Sequence, residues 1–190
     1  QFIKMIDLNS KSLQKLYLAY FGRPGDPSGI NYWLSNSKGS LTFNEISDEL
    51  SRQDEYRNSV DNKSLEFQIN KLYINLFDRK ADFNGLNYWI ENINNQGCRI
   101  SYIVCKLISK DNKPYPIQTD QEVKDKKVLQ NKIFAAEMFT EQISKSISLI
   151  NLYQPDSLSP WRSGNSLIRA SKFLSNVNFN TVTKEDVNRA

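Results

Sequence analysis

One stretch of this chain occurs twice, and that fact constrains its fold more than any other. Leu16 to Leu34 reads LYLAYFGRPGDPSGINYWL, and Leu72 to Ile90 reads LYINLFDRKADFNGLNYWI. At an offset of 56 residues the two copies align without a gap and share Leu, Tyr, Phe, Arg, Asp, Gly, Asn, Tyr and Trp. A period of this size marks a repeated supersecondary unit whose copies bury a common core by stacking.

Each copy predicts helix, tight loop, helix. Tyr17, Tyr20 and Phe21 lie at helical spacing with no Gly or Pro among them. Gly22 stands where a left-handed cap ends a helix, and Asp78 holds that position in the second copy. Asp26 and Asp82 then open the next helix as N-caps, and Pro27 after Asp26 suits the first helical position. Ile30, Trp33 and Leu34 form an apolar face, as do Leu86, Trp89 and Ile90. Trp33 and Trp89 read as core, whereas Tyr32 and Tyr88 point elsewhere on the helix. Arg23 and Arg79 sit in the loop three residues before the capping Asp. Each has two readings: a structural ion pair or carbonyl brace, and a ligand-binding guanidinium beside an aromatic. Arg23, Tyr32, Arg79 and Tyr88 are therefore the candidate ligand-binding residues.

These residues carry a family resemblance. The pattern F-G-R-x-x-D-x-x-G-x-x-Y-W, here Phe21, Gly22, Arg23, Asp26, Gly29, Tyr32 and Trp33, resembles a repeat of unknown function in secreted bacterial S-layer, RTX-type and other cell-surface proteins. The second copy, Phe77, Asp78, Arg79, Asp82, Gly85, Tyr88 and Trp89, departs from it at the first Gly. Leu50 to Tyr56, LSRQDEY, and Asn131 to Thr140, NKIFAAEMFT, resemble further segments of such proteins. The resemblance implies an all-helical fold, a cell-surface location and, as in S-layer relatives, anchoring to envelope polysaccharide of lipopolysaccharide type. It also implies other copies of a longer protein in a lattice, and it leaves calcium open for that protein.

In chain order, Ser10 is the expected cap of a first helix from Ser12 to Phe21. Helix two is expected from Pro27 to Ser37, and the capping box Thr42–Glu45 starts a third that ends near Gln53. After the second copy, Gly97 breaks the chain and a helix covers Ser101 to Ile108. Asp111 to Thr119, with two prolines, reads as a linker. A long helix from Asp120 to about Leu152 then carries a heptad-like seam of Leu129, Ile133, Ala136, Thr140, Ile143, Ile147 and Ile150. A last helix bears Leu167, Ile168, Phe173 and Leu174, and a final turn starts at Thr183. The expected fold is all-α: a tandem repeat pair over 1–113, and a long helix with a C-terminal helical segment over 114–190.

The chemistry is sparse. The chain has no histidine, which excludes a Ser-His or Cys-His nucleophile system within it. Cys98 and Cys105 are expected as free thiols, since seven residues along one helix exceed the reach of a disulfide. Asp26 and Asp82 with their following Gly faintly resemble calcium loops, but capping accounts for both. Asp54-Glu55 reads as solvated surface, because neighbours on a helix point apart. A net charge of +4, from 25 basic and 21 acidic residues, is no nucleic-acid footprint. No stretch reaches transmembrane length. No signal peptide is visible in the opening QFIKMIDL, and Gln1 suggests a fragment or processed chain. Neither a catalytic site nor a cofactor is expected. The function expected is a polysaccharide-anchoring surface module, against a structural oligomerisation module or a scaffold resembling phycobilisome linkers.

Overall fold

The structure is a computed structural model, and residues 6–37, 41–109, 119–155 and 164–180 are described. These residues form ten helices and no strand. The helices are α1 (Ser10–Phe21), α2 (Pro27–Ser37), α3 (Phe43–Arg52), α4 (Asp54–Val60), α5 (Leu65–Phe77), α6 (Phe83–Gln96), α7 (Ile100–Ser109), α8 (Asp120–Ser144), α9 (Ile147–Leu152) and α10 (Asn165–Ser175). Among the described residues no helix is long and apolar enough to cross a membrane.

The two copies form the same local structure. α1 and α5 both end at a residue in the left-handed region, Gly22 at φ 62° and Asp78 at φ 58°. α2 and α6 follow Asp26 and Asp82, whose carboxylates each accept the backbone N–H three residues on, at 2.8 Å. α3 and α7 stand at the same offset and pack on one another. α1 is the hub, touching α2, α3, α4, α5, α7 and α8. Leu13, Leu16, Ala19 and Tyr20 of α1 are fully buried, as are Ile69, Leu72 and Leu76 of α5. Trp33 and Trp89 are buried beside them.

α8 lies across both copies, packing on α1, α2 and α5. Leu129, Ile133 and Ala136 enter the core made by the repeats, together with Leu174 and Val177 near α10. The main core therefore draws on residues on both sides of position 113. Lys132 is also buried there, and its ammonium donates to the terminal carbonyls of α5, Ile74 O at 3.2 Å and Asn75 O at 2.9 Å. A helix C-terminus is the end that favours a cation.

Four expectations need correction. The cap of α1 is Asn9, which shares a capping box with Ser12, so the helix starts at Ser10. A separate helix, α4, follows α3 after an extended Gln53. The long helix stops at Ser144, and Ser146 caps a new one, α9, through Leu149 N–H. The Ser-Lys-Ser sequence there bonds the local backbone and competes with helix continuation. The seam consequently fails at its end, and Ile147 is 79 % exposed. Finally, Glu55 is not solvated surface: its side chain is 12 % exposed and bonded to Arg23. Cys98 and Cys105 are free thiols. The linker's residues 111–118 and the turn from Thr183 lie outside the described residues.

Candidate functional site

The loop of the first copy is built from the inside. Gln14 Oε1 accepts Gly25 N–H at 2.8 Å, and Asn70 Oδ1 accepts Ala81 N–H at 3.0 Å at the matching offset. Thr140, the polar interruption of the α8 seam, donates to Gly25 O at 2.6 Å and accepts from Gln14 Nε2 at 2.8 Å. Tyr153 donates to Pro24 O at 2.5 Å. The loop carbonyls and amides are thus satisfied by side chains from α1, α8 and the end of α9.

Arg23 lies at the centre of this loop and is 1 % exposed. Its Nε and Nη2 form a fork on Glu55 at 2.6 and 2.8 Å, and its Nη1 reaches Asp26 at 3.1 Å and Pro24 O at 3.0 Å. The rings of Tyr17, Phe21 and Tyr153 lie 5.3–5.6 Å from the guanidinium carbon. Burial works against this charge, but Tyr153, Glu55 and Asp26 outweigh it and hold the guanidinium protonated. Burial, reinforced by Asp26, pushes the Tyr17 hydroxyl well above the usual phenol range. Tyr17 and Trp33 share a hydrogen bond, as do Trp89 Nε1 and Tyr73 at 3.1 Å. Gly29 is required by this packing: a Cβ there would stand 2.1 Å from the Tyr17 hydroxyl.

Outside this core lies an open cleft of about 740 Å³ between the first copy and the α3–α4 junction. Its lining includes the buried Arg23 and Asp26, Tyr32 and Trp33 of α2, and Glu49, Arg52 and Asp54 of the α3–α4 junction. Tyr32 is 58 % exposed and meets Trp33 edge-on at 4.9 Å. The second copy repeats this element: Tyr88 is 56 % exposed and meets Trp89 edge-on at 4.8 Å. Arg79 is more open than Arg23. It forks on Asp125 of α8 at 2.7 and 2.6 Å, donates to Lys80 O, and lies 5.5 Å from the Tyr73 ring. The hydrogen bonds that Arg79 donates to Asp125 raise its pKa further.

The structure thus brings Arg23 and Tyr32 to one cleft, whereas Arg79 pairs with Asp125 and Tyr88 stands on Trp89. Arg23 has four of its five N–H groups bonded within the protein. It braces the loop and offers no open fork to a ligand. Glu49 and Arg52 of α3 escaped the sequence reading and Asp54 of α4 was read there as solvated surface, because only the fold brings the α3–α4 junction against the first copy. A more apolar cleft of about 450 Å³ lies between α3, α7 and Ile6–Leu8 and holds none of the candidate residues. Among the described residues no group of three or more acidic or Cys side chains is placed to hold a metal ion.

No curated protein and no solved structure matches the chain. Residues 47–113 match the model of a domain of unknown function (DUF4214). That span runs from within α3 through the whole second copy to the end of α7, and so includes Arg79, Asp82, Tyr88 and Trp89.

Proposed function

We propose that this chain is a non-enzymatic cell-surface module that binds bacterial envelope polysaccharide and helps to anchor or order a longer protein on it. The observation carrying this reading is the recurrence of one exposed tyrosine on one buried tryptophan at the same place in both copies. A ring held edge-on by a core tryptophan is a rigid apolar platform, ordered at little entropic cost. Pyranose rings present C–H faces that stack on such platforms. Tyr32 stands at the wall of an open cleft whose Glu49, Arg52 and Asp54 can meet sugar hydroxyls. Arg23 and Arg79 set the platforms by fixing the loop before each helix. Asp26 and Glu55 are both tied to Arg23, so neither is poised as a general acid or base. The reading needs no cofactor. It places the chain outside the cell, with other copies of the longer protein as lattice neighbours.

A structural oligomerisation module is the second reading, favoured by the exposed Ile147 and Leu152 of α9. Co-sedimentation with purified envelope polysaccharide separates the two. Binding by a chain that stays monomeric in size exclusion supports the glycan reading. A chain that self-associates and shows no binding at millimolar sugar overturns it.

A further inference from the structure

On the far side of the α3–α4 junction, three arginines from three elements line one small pocket of about 210 Å³. Arg52 comes from the end of α3, Arg57 from α4, and Arg99 from the residue before α7. Each makes a single-nitrogen contact with a carboxylate: Arg52 with Glu49 at 2.8 Å, Arg99 with Asp48 at 3.1 Å, and Arg57 with Asp61. None of the three is forked, and all three side chains are more than half exposed. Asp48 is the one carboxylate in the lining, and an incoming anion would compete with Glu49, Asp48 and Asp61 for the three guanidinium groups. The first turn of α7, a ten-residue helix, also faces the pocket through Ile100 and Ser101. The positive end of a helix adds to the field for an anion.

An independent observation marks the same place. Tyr56, also in the lining, is 2 % exposed, and its hydroxyl has no hydrogen-bond partner. It is the one such buried side-chain atom among the described residues. Its ring is fixed edge-on against Tyr20 at 5.0 Å, so the hydroxyl cannot turn away to solvent without repacking the core. Buried polar groups are nearly always satisfied, and an exception calls for a missing partner. A phenol O–H in a pocket lined by three arginines and the start of a helix can donate to an anionic acceptor.

We propose that this pocket binds a small tetrahedral oxyanion, phosphate or sulfate, as the free ion or as an ester group on a larger molecule. Guanidinium groups take such oxygens two at a time, and the Tyr56 hydroxyl supplies a further donor. The assignment does not depend on the glycan reading. The two sites do share Arg52, which lines both the pocket and the larger cleft.

The test is calorimetric titration of the whole chain with inorganic phosphate, with sulfate, and with a monosaccharide phosphate, at fixed ionic strength in chloride. Saturable binding is expected, weakened about tenfold or more in Tyr56→Phe and in Arg57→Gln, as loss of a hydrogen bond to a charged group predicts. Tyr56→Phe should also melt no lower than wild type in anion-free buffer, since it deletes an unpartnered hydroxyl. Circular dichroism checks the fold of Arg57→Gln. Equal binding of free ion and sugar ester assigns the site to the ion, and tighter binding of the ester assigns it to a substituent. No saturable binding at tens of millimolar anion, or binding unchanged in both variants, overturns the proposal.

Discussion

Arg23 and Arg79 are the same residue at the same place in two copies of one unit, and their surroundings set very different energies. Arg23 is 1 % exposed and its partner Glu55 12 %, whereas Arg79 is 25 % exposed and Asp125 15 %. Glu55→Gln keeps the shape of the partner and removes its charge, and it turns an amide N–H₂ toward the Arg23 fork. The guanidinium is then left buried with Asp26 as its one remaining charged partner. Breaking a buried pair from one side costs about 3–5 kcal/mol. The retained Asp26 and Pro24 bonds put this case near the lower end, about 3 kcal/mol. Asp125→Asn exposes a guanidinium that water can reach, and should cost about 1 kcal/mol or less. Urea unfolding at pH 7 measures both. A chain of this size loses roughly 2–4 °C per kcal/mol, so Glu55→Gln should melt about 6–12 °C lower. Equal losses for Glu55→Gln and Asp125→Asn would refute the claim that burial separates the two loops.

Three other outcomes follow from the same geometry. Asp82→Ala removes one cap bond and should cost about 1 kcal/mol, whereas Asp26→Ala should cost clearly more because Asp26 also faces Arg23; denaturant midpoints check the order. Burial lowers the Lys132 ammonium to about 8 from 10.5, so the unfolded chain binds more protons between these values and stability rises with pH across them. The gain from pH 8 to 9.5 should be about 1.5 kcal/mol in wild type and absent in Lys132→Met, read as the difference between their unfolding free energies. Light scattering at micromolar concentration should give a monomer, since the buried face of α8 is spent on α1, α2, α5 and α10; a stable dimer dissolved by Ile147→Asp would favour the oligomerisation module.

The repeat was legible because nine identities at one offset reflect one backbone path, down to the left-handed cap that Gly22 and Asp78 both adopt. The caps Asp26, Asp82 and Thr42 were legible because capping is local chemistry. What sequence could not supply were contacts between distant elements. Glu55 looked like surface because only the fold brings α4 against the first loop, and Gln14 and Thr140 looked like ordinary polar residues until the loop between them was in place. The break after Ser144 was hidden because the apolar spacing of Ile143, Ile147 and Ile150 continues through it while the serines beside it end the helix. Of the candidate site residues, the two tyrosines stand exposed and the two arginines stand inside ion pairs. Residue type and spacing named all four and singled out the tyrosines for exposed contact, but the ion-pair partners of the arginines, Glu55 and Asp125, came only with the fold.

The measurement that bears most directly on the glycan reading is the affinity of a purified envelope oligosaccharide for the wild type, Tyr32→Ala, Tyr88→Ala and the double variant, by titration calorimetry. Both tyrosines are exposed, so the variants should keep the fold and melting temperature. Loss of one stacking platform should weaken binding by several-fold to about tenfold, and loss of both should weaken it further. Binding that is unchanged in the double variant, with the fold intact, would contradict the claim that the paired tyrosine platforms hold the sugar.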